Sequence, residues 1–196
     1  MNKPFPGKYP QSDHAYLGSI VPFASLDPIG VTVHYTASRG IGGTIKELVN
    51  KSLGYHIIID RDGTVYQCAE FTGRLNHAGK ADWRGHSPNR EHIAVALVSW
   101  GWVKELAPGI YQSWAGTAVD TKDCIERDCR WWDVATNVQE LALLRFLRWT
   151  TTQGIDPSHI CGHDECALPP GRKADPGGVL SINMEKFRTL LQDDLS

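Results

Sequence analysis

The stretch from Tyr55 to Gln67 constrains the fold most. Tyr55-His56-Ile57-Ile58-Ile59-Asp60 is a β-branched and aromatic run, and Thr64-Val65-Tyr66-Gln67 resumes the same pattern after Arg61-Asp62-Gly63. Asp-Gly between two strand-like runs marks a hairpin, because glycine tolerates the positive φ of a tight turn. Two more runs read as strands. In Val31-Thr32-Val33-His34-Tyr35, alternation puts Val31, Val33 and Tyr35 on one face and Thr32 and His34 on the other. Glu91–Val98 is apolar enough to lie centrally. Thr44–Val49 reads as a helix with Thr44 as N-cap and Glu47 at the capping-box spacing. Val138–Thr151 reads as a long helix ended by Gly154 and Pro157, and Met184–Leu191 as a short one. The expected fold is therefore α/β, a single domain with a central mixed β-sheet flanked by helices. Residues 1–28, rich in proline, glycine and small polar residues, read as an arm packed on the domain of residues 29–196. Residues 99–133 carry five of the seven tryptophans and show little strand or helix periodicity, so they read as an irregular insertion.

With 196 residues the chain suits one core. A formal net charge of -2 gives no general attraction to nucleic acid. No apolar run approaches the ~18 residues of a membrane helix, and the first ten residues lack the apolar stretch of a signal peptide. The expectation is a monomer made in the cytoplasm, without membrane or nucleic-acid partners. It would reach any extracytoplasmic substrate through lysis, a holin or a secretion machine. Five cysteines, an odd number, argue against a fully paired framework. They read as buried free thiols, with Cys124–Cys129 and Cys161–Cys166 as the pairings open in an oxidising compartment.

Three segments carry chemistry: His34 with Tyr35-Thr36-Ala37-Ser38, then Arg74-Leu75-Asn76-His77-Ala78-Gly79, then Gly162-His163-Asp164-Glu165 followed by Gly171-Arg172-Lys173-Ala174-Asp175-Pro176-Gly177. His34 sits at the C-terminal end of an apolar strand, where α/β sheets commonly bind ligands. His14, His56, His86, His92 and His159 read as structural or solvated. Hydrolytic zinc takes three protein ligands and leaves a position for water, whose pKa it lowers from about 15.7 to about 7. Two histidines and a carboxylate meet that need, and the glycine- and proline-rich loop can fold back to bring His163 and Asp175 together. Asp175 alone reads equally well as a turn residue before Pro176. Lys173 is either a solvated lysine or a cation aimed at an oxyanion. Arg172 could grip a carboxylate. His163-Asp164-Glu165 matches half of the nucleobase deaminase signature, but the downstream Pro-Cys-x-x-Cys is absent. A Cys161/His163/Cys166 zinc site is a minor alternative.

These segments, in this order and with the Gly-Tyr-His-Ile-Ile-Ile-Asp-Arg-Asp-Gly-Thr-Val hairpin between the first two, resemble the zinc N-acetylmuramoyl-L-alanine amidases of the second amidase family. That family includes short-tailed phage lysozymes, cytoplasmic anhydro-muropeptide amidases and peptidoglycan recognition proteins. The resemblance spans about residues 29–178. It implies a peptidoglycan recognition protein-like fold with Zn2+ at one end of a groove. It places zinc ligands on His34, His163 and Asp175, a catalytic lysine on Lys173, and groove residues on His77, Arg74 and Arg172. The anhydro-muropeptide branch has a catalytic glutamate where this chain has Ala96. The phage and recognition-protein branch uses a tyrosine before the hairpin histidine, which falls on Tyr55. The chain thus combines the aspartate ligand of one branch with the tyrosine of the other.

The resemblance implies hydrolysis of the bond between N-acetylmuramic acid and L-alanine in peptidoglycan or muropeptides, as a phage or prophage endolysin, with Lys173 stabilising the oxyanion and Tyr55 orienting or deprotonating the water. The contrasting expectation is a binding module that recognises peptidoglycan without cutting it. Such relatives typically lose the third ligand, whereas Asp175 is present. The tryptophans of residues 99–133 are either a lid over the sheet edge or a platform for sugar rings, with Arg127 and Arg130 near the acidic stem peptide.

Overall fold

The computed structural model describes residues 4–15 and 20–193. Residues 1–3 and 16–19 of the expected arm lie outside them. In chain order, β1 (His14–Ala15), β2 (Gly30–Tyr35), β3 (Ile57–Ile59), β4 (Val65–Gln67) and β5 (His92–Leu97) precede the tryptophan-rich stretch. Within it lie β6 (Gly101–Ala107), β7 (Ile110–Gln112), β8 (Ala118–Val119), β9 (Cys124–Arg127) and β10 (Arg130–Asp133), and β11 (Ile160–Gly162) follows. The α-helices are α1 (Ile41–Asn50), α2 (Pro88–Glu91), α3 (Asn137–Thr152), α4 (His163–Cys166) and α5 (Met184–Asp193).

The central sheet has the order β1-β4-β3-β5-β2-β11. Every pairing is parallel except the β3–β4 hairpin, whose register sets Ile59 opposite Val65. Gly63 takes φ +87° in its turn. The hydrophobic pattern decides which side each helix covers. Val31, Val33, Ile57 and Ile59 pack under Leu143, Phe146 and Leu147 of α3 and Phe187 and Leu191 of α5. Ile58 and Val98 face the other way, against Ile41 and Leu48 of α1. Two-sided burial explains why β3 is three consecutive isoleucines. Of the described N-terminal residues, Tyr9 is buried and meets Phe146 edge-on, with ring centroids 5.3 Å apart.

Helix α1 begins earlier than the capping pattern suggests. Its N-cap is Gly40, and Thr44 lies inside the helix with its hydroxyl donating to the Gly40 carbonyl at 2.7 Å. Glu47 pairs instead with Lys51 one turn on. By contrast, α3 has a full capping box, Thr136 with Gln139.

The larger correction concerns residues 99–133. They are not irregular but form an antiparallel five-stranded sheet of order β8-β7-β6-β10-β9. Arg127 pairs with Arg130 across a two-residue turn in which Asp128 and Cys129 both take positive φ, 51° and 59°. That geometry usually calls for Asn-Gly or Asp-Gly, so Asp-Cys conceals the hairpin. Trp131 and Trp132 point to opposite faces. Trp131 closes a small core of Val103, Tyr111, Val119 and Cys124, while Trp132 packs on Gly177 and Gly178. Only Trp132 of the five joins the main core as the expected lid; Trp100 and Trp131 pack within the second sheet's own core, and Trp102 is 50% exposed and Trp114 67%. All five cysteines are free; four are buried, and Cys129 is exposed at the hairpin tip. No helix among the described residues is long and apolar enough to cross a membrane.

Candidate metal centre

His34 is the fifth residue of β2, and His163 begins α4 directly after the neighbouring parallel strand β11. Adjacent strand ends therefore deliver two imidazoles to one crevice. The loop after α4 folds back, fastened by the Asp164 N–H donating to the Asp175 carbonyl at 2.7 Å. Asp175 Oδ2 then lies 2.8 Å from His34 Nδ1 and 2.9 Å from His163 Nδ1. All three side chains are buried, and their three ligand atoms lie within 4.8 Å of one another.

The partners of the remaining ring nitrogens fix the tautomers. His163 Nε2 is 2.9 Å from the Ala78 carbonyl, and His77 Nε2 is 3.1 Å from that of Pro88. A carbonyl only accepts, so both Nε2 atoms carry protons. Neutral His77 then presents a bare Nδ1, which accepts from His34 Nε2–H at 3.0 Å. His34 Nδ1, His163 Nδ1 and Asp175 Oδ2 are left as converging lone pairs. Neutral imidazoles directed at a carboxylate repel it, and a cation between them turns that repulsion into coordination. The donor set of two nitrogens and one oxygen fits a divalent zinc-type ion. Burial lowers the His34 pKa to about 4 despite its contact with Asp175. Burial also opposes ionisation of Asp175, yet its contacts with His163 and His34 hold it below the usual carboxylate range. Both effects keep the donors in their ligating protonation states at neutral pH.

Of the other predicted residues, Tyr55 stacks obliquely on His34 with centroids 5.0 Å apart, and burial together with nearby Asp175 raises its pKa. His77 enters the site behind His34, as a support for a ligand. Lys173 is exposed, and its charge reaches His34. Arg172 bonds to backbone: Nε donates to the Leu168 carbonyl, and one terminal nitrogen donates to the carbonyls of Ala78 and Lys80. It clamps the 78–80 segment. Arg74 lies over the Phe23 ring at 5.4 Å, outside the ligand cluster. Ala96 is the register partner of His34 on β5, so no carboxylate stands at that place. His56 is structural as expected, with Nε2 bonded to the Gly73 carbonyl and Nδ1 accepting from Ala94 N–H.

Sequence reasoning missed Asn89, whose Oδ1 accepts from the His77 and Ala78 N–H groups at 2.9 and 2.8 Å. It also missed the Pro88 and Ala78 carbonyls, which no side-chain pattern reveals. Trp114 was singled out only as one of several tryptophans. Its indole N–H donates to the Ala37 carbonyl at 3.0 Å, three residues beyond His34.

Several solved structures are similar to this chain in fold, three of them as follows. The E. coli N-acetylmuramyl-L-alanine amidase AmiD, in complex with anhydro-N-acetylmuramic acid-L-Ala-D-gamma-Glu-L-Lys, aligns at TM-score 0.58 and 19% identity over 93% of this chain and 60% of its own. A selenomethionine AmpD aligns at TM-score 0.59 and 18% identity, covering 94% of this chain and 96% of its own. The endolysine N-acetylmuramoyl-L-alanine amidase LysCS from Clostridium intestinale URNW aligns at TM-score 0.57 and 15% identity, over 95% of this chain and 98% of its own. A comparison with curated sequences gave no match. The family model described as N-acetylmuramoyl-L-alanine amidase matches residues 24–178, a span that takes in both strand-end histidines, the Asp175 loop and the whole second sheet. With most of its length matched, the chain belongs to the N-acetylmuramoyl-L-alanine amidase family.

Proposed function

We propose that this protein hydrolyses the amide between N-acetylmuramic acid and the L-alanine of a peptidoglycan stem peptide, with zinc held by His34 Nδ1, His163 Nδ1 and Asp175 Oδ2. The observation that carries the reading is the convergence of three buried lone pairs whose tautomers are dictated by carbonyls behind them. Zinc bound there would supply Lewis acidity and lower the pKa of a water.

The chain's own groups supply the rest. His77 holds the proton on His34 Nε2 and so keeps Nδ1 available. Tyr55, beside His34 and kept protonated by burial, orients the attacking water through its hydroxyl. Lys173 directs its ammonium at the oxyanion of the tetrahedral intermediate. The substrate class follows the AmiD complex, whose ligand joins anhydro-N-acetylmuramic acid to L-Ala and a γ-linked D-Glu. The tyrosine-type site, with Ala96 in place of a carboxylate, together with the likeness to LysCS, supports an endolysin role on intact cell wall.

Digestion of sacculi and of soluble muropeptides by zinc-loaded protein, followed by mass spectrometry, tests the proposal. Free stem peptide beginning at L-alanine is the expected product. Cleavage at a glycosidic bond overturns the reading. Protein that takes up no zinc yet binds muropeptide, and releases no stem peptide, overturns it in favour of a recognition module.

A further inference from the structure

A groove of about 580 Å³ runs beside the metal centre. One wall is the loop bearing Asp175, with Lys173, Ala174 and Pro176; the other is the β9–β10 hairpin, with Arg130 and Trp132. The second sheet thus builds one wall of a groove whose lining residues Asp164, Ala174 and Pro176 adjoin His163 and Asp175 in the chain. Arg127, on the same hairpin, donates from Nη1 to the Gly178 carbonyl at 2.7 Å and to the Leu180 carbonyl, which fixes the hairpin against the loop. Arg130 is different. It is exposed and its side chain makes no hydrogen bond or ion pair among the described residues, and the same is true of the Lys173 side chain. Arg130 is close enough for its field to act on Tyr35, the neighbour of His34, and that of Lys173 acts on His34 itself.

Glu165 and Asp164, two acidic residues of this groove, accept hydrogen bonds from other groups. Glu165 is gripped by both terminal nitrogens of Arg188, at 2.9 and 2.8 Å, and accepts from Gly162 N–H. Asp164 Oδ1 accepts from Glu165 N–H at 2.9 Å. Asp128 sits at the hairpin turn. Meanwhile Arg172 and Arg74, the arginines expected to line a substrate groove, are turned to backbone carbonyls and to Phe23.

We propose that this groove is an anion subsite in which Arg130 grips a free carboxylate of the stem peptide, on the side of the scissile amide away from the sugar. The proposal rests on the amidase reading. A γ-linked glutamate following L-alanine leaves its α-carboxylate free, and an unengaged guanidinium offers the planar, two-point match that a carboxylate needs. The tryptophan-rich sheet then serves as a specificity element, reading the charge of the peptide.

The test uses zinc-loaded full-length protein and two soluble muropeptides that differ only at that glutamate, one a free acid and one its amide. Wild type is expected to favour the acid by roughly ten- to a hundredfold in kcat/KM, the range of one charge-assisted contact. Arg130→Ala should raise KM for the acid about tenfold or more, leave kcat within about twofold, and abolish the preference. Arg130→Lys should restore part of it. Equal KM for wild type and Arg130→Ala on the acid overturns the subsite while leaving the amidase intact. If wild type cleaves neither peptide, the amidase reading fails. Calorimetric titration with the acid peptide then decides the subsite separately: weaker binding by Arg130→Ala upholds it, and equal binding overturns it.

Discussion

Replacing Asp133 by alanine should detach the second sheet from the core. The Asp133 side chain is fully buried at the end of β10. Its Oδ1 accepts from Arg39 Nη2 at 2.8 Å and lies 3.4 Å from Arg61 Nη1, while Oδ2 accepts from Trp100 N–H at 2.8 Å. Arg39 follows the metal-ligand strand, and Arg61 sits in the β3–β4 turn. One carboxylate therefore joins three parts of the chain. Asp123 shares both arginines, at 2.9 and 3.1 Å, so the substitution leaves them partly paired. Breaking a buried ion pair costs about 3–5 kcal/mol. Because Arg39 is 32% exposed and Asp123 remains, the lower end applies, about 3 kcal/mol. At roughly 2–4 °C per kcal/mol for a chain of this size, the melting temperature should fall by about 6–12 °C. Scanning calorimetry of metal-free wild type and Asp133→Ala measures this directly. A fall of under about 2 °C would refute the argument and show that Asp123 alone holds both arginines.

Four further outcomes are expected. His77→Ala should weaken zinc binding about 10–100-fold in a chelator competition, because His34 loses the group that fixes its tautomer; unchanged affinity removes His77 from that role. His163→Ala should lose zinc and activity together, whereas Lys173→Ala should keep zinc and lose about 10²–10³-fold in rate; full turnover of the latter returns Lys173 to the solvated surface. Trp132→Ala should destabilise by about 3–5 kcal/mol, while Trp114→Ala should melt like wild type and raise KM on intact sacculi if it is a sugar platform, so an unchanged KM ends that idea. Burial lowers the pKa of both His56 and His92 to about 4. Their folded values lie below the unfolded one, so the neutral forms stabilise the fold above about pH 6.5, and that contribution is lost as pH falls towards 4. The urea midpoint of metal-free protein should drop across that window, and His56→Gln should drop less than wild type.

The central sheet was legible because its strands follow simple patterns. Val31, Val33 and Tyr35 alternate against Thr32 and His34, the three isoleucines of β3 are buried on both faces, and Asp62-Gly63 announces its own turn. The His34, His163 and Asp175 cluster was legible for another reason: strand ends and a glycine-rich loop are where such chemistry is commonly placed. The second sheet was not, because its turn at Asp128-Cys129 lacks glycine and its tryptophans divide between two faces. Pro108-Gly109 and Gly116, with positive φ of 76° and 78°, were the conventional turn signals in that stretch. Thr44 misled because a hydroxyl that caps a helix from outside can equally donate to the carbonyl four residues back from within.

The tautomer assignment extends the metal centre beyond its ligands. Protons on His163 Nε2 and His77 Nε2 are held by the carbonyls of Ala78 and Pro88. Asn89 ties that segment together, accepting from the N–H groups of residues 77 and 78 and donating to the Gly79 carbonyl at 2.7 Å. Arg172 grips the Ala78 and Lys80 carbonyls from the opposite side. The segment 77–80 is thus held by both, and its Ala78 carbonyl sets which nitrogen of His163 faces Asp175. Arg172 lies three residues from Asp175 in the same loop, so the loop that carries Asp175 also holds the carbonyl that His163 Nε2 meets. This gives Arg172 a physical role beside the centre through its backbone contacts. Its loss should therefore act through zinc affinity before it acts through KM.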